Sequence, residues 1–516
     1  MRPGSIHQRA WIGGLILAAL AVLAPRDAAG VQATRAPASA EAIAALLDPV
    51  VRGRGGAVGV AVYAVTRNRA LYLYNAETPL LPASNMKLYT TAAALDRLGP
   101  DFQYTTSLYA DGPLRSDGTL DGNLILAGRG DPTLSGRFYG DSATYVFDRL
   151  AAGLRSSGVR RIGGELLGDA SYFDDELIGP GWESGNLLWW YGARVSALAF
   201  NDNVVTIEVR PGGSIGAPPQ VRFIPQGEGL VVDMQATTVS ARGGRAIGIG
   251  RRADIGGYEI RGRIALGSGP LRYVVAFEEP AVFAMGVFRD RLERAGIRVA
   301  GQPRVIYASR LLPSRPRRLL ASHTSPRLIE IVRVINKHSQ NHFAEQVLKT
   351  LGAVFRDDGS FDDGAAVVEA VLRELGVGAR SFYMADGSGL SRRNLVTARA
   401  TAELLVAMQD HAWFEEYYDS LLIAGSDGDP RRLDAPAARG NVHSKTGTLR
   451  GASALSGYVT TRDGERLAFS VISNNLPQGK GGAIAIEDAV AERLAGYTSF
   501  RPVLLEAETG DSARGR

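Results

Sequence analysis

Strand-forming segments stand near both ends of this chain and helical ones between them, so the two ends must meet in one sheet. Ala57 to Val65 and Ala70 to Tyr74 predict a strand pair joined by a polar turn at Arg67 and Asn68. Far downstream, Ala452 to Thr460 and Arg466 to Ser473 predict a second pair around a turn at Asp463-Gly464. The helical pattern of Ser39 to Leu47 precedes the first pair, with Ser39 placed as its N-cap. That of Ala483 to Ala495 follows the second, and the final ten or so residues read as a polar tail.

Between these ends the chain changes character twice. A helix beginning near Ser84 stops at Gly99-Pro100. From about Asp101 to Leu320, short runs such as Asn123 to Leu126, Val204 to Val209 and Tyr273 to Phe277 alternate with Gly, Pro, Asp and Asn. This stretch reads as mostly β, an excursion of one or two inserted domains. Helical signals resume at Ser325, read as an N-cap with Pro326 at the first helical position. Leu328, Ile331, Val332 and Ile335 then fall on one helical face. Phe343 to Leu351, Ala365 to Leu375 and Thr397 to Met408 continue the helical pattern. The fold class expected is therefore α/β (α+β), an antiparallel sheet flanked by helices and interrupted by a mostly β insertion.

The N-terminus carries Arg2 and Arg9 before an apolar stretch from Trp11 to Ala24, then small residues at Ala28, Ala29 and Gly30. Residues 1–30 read as a secretory signal peptide, which predicts a periplasmic or secreted protein with at most peripheral membrane contact. A net charge of +5 is spread without any basic run, which argues against nucleic acid as a partner. The chain has no cysteine, so thiol catalysis and zinc-thiolate sites are excluded.

Lysine is scarce: Lys87, Lys337, Lys349, Lys445 and Lys480 are the whole set, against 58 basic residues in all. Arginine stays charged in a protein, whereas a buried lysine can lose its proton and serve as a base. Two of the five stand in motifs that carry chemistry. In Ser84-Asn85-Met86-Lys87, positions i and i+3 share a helical face, so the hydroxyl and the amine can meet. The start of a helix also places that serine beside unpaired N–H groups. In Lys445-Thr446-Gly447, followed by Thr448, an ammonium and a hydroxyl flank a glycine that lets a substrate backbone approach; the group suits a terminal carboxylate. Ser339-Gln340-Asn341, at the break between two helical patterns, offers a hydroxyl to relay a proton and an amide to hold a peptide.

Three decoys fail on context. Gly212 to Gly216 matches a nucleophile elbow, but Pro218-Pro219 follows where a helix is needed. His338 and His342 have metalloprotease spacing without the glutamate, and Gln478-Gly479-Lys480 lacks the upstream glycine of a phosphate loop. No metal and no cofactor is expected.

In the order S-x-x-K, S-x-N, K-T-G the three motifs form the signature of penicillin-binding proteins and serine β-lactamases. The chain resembles the D-Ala-D-Ala carboxypeptidase/endopeptidase family, the class C low-molecular-mass penicillin-binding proteins. The first two motifs lie 339 − 84 = 255 residues apart, and a long insertion there marks that family. Gly128 to Pro132, Gly168-Asp169, Tyr172 to Asp174, Ser196 to Asn203 and Asp386 to Arg392 add to the resemblance, which spans about residues 40 to 500. Gln340 departs from the aspartate frequent there.

The resemblance implies a β-lactamase/transpeptidase-like domain at 37–104 and 322–505, a second domain at 105–131 and 225–321, a third at 132–224, and a tail at 506–516. It implies that Ser84 attacks the carbonyl of the penultimate D-alanine and that Lys87 takes its proton. Ser339 and Lys445 would pass the proton to the leaving amine. Lys445 and Thr446 would receive the substrate carboxylate, with Gly447 leaving room for its approach, Asn341 the substrate backbone, and the N–H groups of Ser84 and Thr448 the oxyanion. Asp386 and Arg392 would shape a loop beside the cleft. Peptidoglycan peptides ending in D-Ala-D-Ala would be the substrates and β-lactams the inhibitors. A β-lactamase and a non-hydrolytic penicillin sensor or wall-binding protein are the rival readings.

Overall fold

The computed structural model describes residues 38–498 apart from 227–229, 253, 255, 316, 379–381 and 430. The expected signal peptide and tail lie outside the described residues. The helices are α1 Ala40–Val51, α2 Met86–Leu98, α3 Tyr145–Ser156, α4 Pro280–Arg294, α5 Leu328–Lys337, α6 Asn341–Phe355, α7 Phe361–Glu374, α8 Ala398–Gln409, α9 Phe414–Ser420 and α10 Gly479–Gly496.

Both ends of the chain do meet in one antiparallel sheet of six strands. Its order is Leu422–Ile423, His443–Leu449, Ala452–Thr460, Arg466–Asn474, Ala57–Ala64 and Arg69–Tyr74. The join is made by Ala57–Ala64 against Arg466–Asn474, eight pairs in unbroken register from Ala57↔Asn474 to Ala64↔Leu467. Side chains alternate between faces along a strand, and here both faces are covered. Val58, Val60, Val62 and Ala64 turn to a core shared with Ile43, Leu47, Val490 and Leu494 of α1 and α10. Ala61 and Tyr63 turn to the core built on α2, α5, α6, α7 and α8. Ser39 caps α1, its hydroxyl accepting from the Ala42 N–H at 3.2 Å.

The insertion hangs from two neighbouring strands. Thr105–Ala110 leaves the core and Arg318–Thr324 returns beside it, paired from Thr105↔Thr324 to Ala110↔Arg318. An insertion whose ends touch leaves the parent sheet undisturbed. Ser325 closes this junction and does not cap a helix as its sequence context suggests. Its hydroxyl accepts from the Tyr104 N–H at 2.9 Å, its own N–H donates to the Tyr104 carbonyl, and α5 starts later, at Leu328. The expected apolar face of α5 is buried as a block, with Leu328, Ile331, Val332 and Ile335 fully enclosed.

Inside the insertion a five-stranded sheet runs Arg304–Ile306, Leu166–Asp169, Leu124–Ala127, Thr105–Ala110, Arg318–Thr324. It is not wholly β: α3 and α4 pack together and cover this sheet with Phe147, Leu150, Leu154, Phe283, Met285 and Phe288. Residues 204–276 form two further three-stranded sheets, one from Val204–Arg210, Gln220–Ile224 and Leu271–Ala276, the other from Val232–Val239, Ala246–Arg252 and Gly257–Ala265. The strand Leu166–Asp169, inside the range 132–224 expected for a third domain, lies between strands of the range expected for the second. We propose on these pairings that the innermost insertion spans about 201–277 in place of 132–224.

Candidate active site

Ser84 sits in a single 3-10 turn, Ala83–Asn85, that runs directly into α2. Ala83 before it is fully buried with φ of 48°, a left-handed conformation that a non-glycine residue holds only under outside constraint. Two neighbours supply the constraint. Gly389 (φ 84°) is pressed so close that a β-carbon on it would stand 1.8 Å from the Ala83 carbonyl oxygen. Gly447 lies on the other side, where a β-carbon would meet the Pro82 carbonyl oxygen at 2.7 Å and the Ser84 nitrogen at 3.1 Å. Asn85 pins the turn from below, donating to Ser456 in the central sheet at 3.0 Å.

Lys87 follows one turn into α2 and is completely buried. Its Nζ makes three hydrogen bonds: 3.1 Å to Ser84 Oγ, 2.6 Å to Asn341 Oδ1 and 2.7 Å to the Ser388 carbonyl. An ammonium has three protons, so the charged form is satisfied, and a neutral amine would have its lone pair among the same groups. Burial pushes the Lys87 pKa down from the usual lysine range, while Glu345 and Asp386 pull it partly back.

Ser339 occupies the break between α5 and α6, also with positive φ (53°), and Asn341 begins α6. Ser339 Oγ accepts from Lys445 Nζ at 3.0 Å, and Asn341 Nδ2 donates to the Tyr191 carbonyl at 2.8 Å. Lys445 is fully buried, and burial, with the charge of Lys87 second, holds its pKa well below the usual lysine range. Ser84, Lys87, Asn341, Ser339 and Lys445 thus gather around one spot from three places in the chain. Thr446 is half-buried and Thr448 exposed on the same strand. That strand pairs with its outer neighbour only through His443 and Ser444. From Lys445 to Leu449 the outer edge carries no strand partner among the described residues, beside the Ser84 turn.

The loop Asp386 to Arg392 forms the wall next to Lys87. Asp386 accepts from the N–H groups of Gly389 and Ser391, from Asn394 and from Trp182 Nε1, at 2.6–2.8 Å. Arg392 stays at the rim, donating to the Arg450 carbonyl at 3.0 Å.

Several contributors were not singled out in the sequence. Glu345 of α6 is completely buried and accepts from the Gly387 and Ser388 N–H groups. Tyr191 and Trp182 come from the insertion, as does Asp202, which lies in the Ser196 to Asn203 run that adds to the resemblance; its Oδ2 accepts from Gln340 Nε2 at 2.9 Å and from Arg137 Nε at 2.7 Å. Glu345 resembles a surface residue of an amphipathic helix, and its neighbours Gln346, Lys349 and Thr350 are equally buried. Tyr191 acts through its backbone, which leaves no mark in a sequence.

An antiparallel sheet covered by helices on both faces, with a serine turn packed against its open edge strand, is the fold of the β-lactamase-like serine enzymes. The chain belongs to the D-Ala-D-Ala carboxypeptidase 3 (S13) family, whose model matches residues 40–497. It is 35% identical over 491 residues to a D-alanyl-D-alanine carboxypeptidase of an Actinomadura species, covering 92% of this chain and 87% of the relative. A Haemophilus influenzae D-alanyl-D-alanine carboxypeptidase is 28% identical, over 82% of this chain and 87% of its own. The crystal structure of penicillin binding protein 4 from Haemophilus influenzae superimposes with a TM-score of 0.75 at 26% identity, covering 89% of this chain and all of that one. Among the described residues no helix is long and apolar enough to cross a membrane.

Proposed function

We propose that Ser84 is the nucleophile and Lys87 the base of a serine-type D-Ala-D-Ala carboxypeptidase/endopeptidase that hydrolyses peptidoglycan peptides and binds penicillin. The observation that carries the reading is the contact of a fully buried lysine amine with the serine hydroxyl, 3.1 Å apart. Neutral Lys87 takes the Ser84 proton as Oγ adds to the carbonyl of the penultimate D-alanine. The N–H groups of Ser84 and Thr448 receive the developing oxyanion; one such donor is typically worth about 10²–10³ in rate. As the tetrahedral species collapses, the peptide C–N bond breaks and the leaving amine gains a proton through Ser339 and Lys445. Water, deprotonated in turn, attacks the ester and frees Ser84.

The open edge from Lys445 to Leu449 receives the substrate as an added strand, main chain to main chain. Lys445 and Thr446 bind its terminal carboxylate, and Gly447 leaves room for the approach. Asn341 holds the peptide backbone. A β-lactam presents a carbonyl and a carboxylate to the same groups and stops at the ester. The N-terminal thirty residues act as a secretory signal, which puts the mature enzyme in the periplasm or outside the cell.

Incubation with a peptide ending in D-Ala-D-Ala tests the reading. Release of one D-alanine per peptide, absent with Ser84→Ala, is expected. Rapid β-lactam destruction without D-alanine release would replace the reading with a β-lactamase.

A further inference from the structure

Lys87 reaches no carboxylate directly, although two fully buried ones, Glu345 and Asp386, lie close to it. Asp386 is consumed by its own loop and by Trp182. Glu345 is engaged differently: Oε2 accepts from the Gly387 N–H at 2.7 Å and Oε1 from the Ser388 N–H at 2.8 Å. The far side of the same segment faces α2. Thr90 Oγ1 donates to the Gly387 carbonyl at 2.7 Å, and Lys87 Nζ to the Ser388 carbonyl at 2.7 Å.

We infer that Glu345 is a positioning residue for the base: its carboxylate holds the Gly387–Ser388 backbone so that the Ser388 carbonyl fixes the Lys87 amine against Ser84. The inference rests on the reading of Lys87 as base. The two N–H donors fall on separate oxygens of the carboxyl group, and a primary amide would put its own N–H donors at one of those two positions. Glycine lets the loop come this close, because a β-carbon on Gly387 would stand 2.8 Å from the Ala344 carbonyl oxygen. Helix α6 therefore fixes two contacts of the amine, directly through Asn341 and indirectly through Glu345 one turn later. The carboxyl group also bears on charge: burial, with Asp386 second, pushes its pKa up to about 8, and where it is ionised it favours the charged form of Lys87. Facing Glu345 are Lys87 from α2, Asp386 from the loop and Lys349 on its own helix, and facing Lys87 are Glu345, Asp386 and Lys445.

The test is the second-order rate of β-lactam acylation across pH for wild type, E345Q and E345D, with melting temperatures alongside. A displaced amine slows E345Q by about 10²-fold, the loss that a misplacement of about an ångström produces. Where Glu345 is ionised its charge raises the Lys87 pKa, so its removal in E345Q moves the acid limb to lower pH. E345D keeps the charge and loses reach, so its rate falls while its limb stays in place. A folded E345Q that acylates at the wild-type rate overturns the inference. If E345Q does not fold, T90V decides, since it removes the opposite hold on the same backbone without touching charge. T90V is expected to acylate about tenfold more slowly with the limb unmoved; a wild-type rate overturns the inference. A wild type that does not acylate at all would sink the reading of Lys87 instead.

Discussion

Lys87 Nζ and Asn341 Oδ1, 254 residues apart in the chain, form a buried 2.6 Å hydrogen bond. The whole insertion lies between the two, and the fold returns them to one spot because α2 and α6 pack together. The contact gives Lys87 a fixed direction toward Ser84. Lys87→Arg keeps a positive charge there and removes the capacity to deprotonate. It is expected to lower the acylation rate by about 10²–10⁴-fold, the usual worth of a general base, in stopped-flow measurements with a chromogenic β-lactam.

The pH dependence follows from burial. A free lysine titrates near 10.5, and desolvation lowers this for Lys87 in the folded protein. The base must be neutral to accept a proton, so acylation rises with pH through the lowered pKa and falls below it. The acid limb of the rate profile is therefore expected well below 10.5. A limb at the ordinary lysine position would mean that Lys87 is charged throughout the working range.

Gly447→Ala tests the packing of the edge strand on the serine turn. The added carbon meets the Pro82 carbonyl oxygen at 2.7 Å and the Ser84 nitrogen at 3.1 Å, both backbone atoms rather than the end of a flexible side chain. The strand must separate from the turn, at a cost of about 1–3 kcal/mol by analogy with an overpacked core. Activity is expected to fall more steeply than stability, by about 10²-fold, because the displacement falls between nucleophile and carboxylate site. Parallel kinetics and thermal melts read the two effects separately.

Asp202 bridges the insertion to the Ser339–Asn341 segment. In the run Asn201, Asp202, Asn203 all three residues have positive φ, and Ser339 does too. Strain at both ends of one contact needs a firm anchor. Asp202→Ala leaves Gln340 Nε2 buried without its acceptor, a loss of about 1–3 kcal/mol. A lower melting temperature and a reduced acylation rate are the expected pair of results.

The parts of this architecture visible in the sequence were those fixed by local periodicity or by rare residues. Alternating Val58, Val60 and Val62 mark a strand, Leu328 to Ile335 a helical face, and scarce lysines singled out Lys87 and Lys445. What was hidden depends on contacts across the chain. Ser325 reads as a cap beside Pro326, yet its hydroxyl serves Tyr104 at the insertion junction. Helices α3 and α4 lie in the stretch that reads as mostly β, although Val146, Phe147, Leu150 and Leu154 repeat at helical spacing and Pro280 opens α4. The many surrounding turns obscured both. Glu345 shares its helix with the polar Asn341, His342, Gln346, Lys349 and Thr350, the pattern of a half-exposed helix, and only the fold encloses it.

Intact-mass spectrometry of the protein with a penicillin, beside Ser84→Ala, tests the central claim most directly. Wild type is expected to gain the mass of one intact drug molecule, carried on the peptide containing Ser84, and the variant none. An equal adduct on Ser84→Ala, or an adduct mapped to another residue, would contradict it.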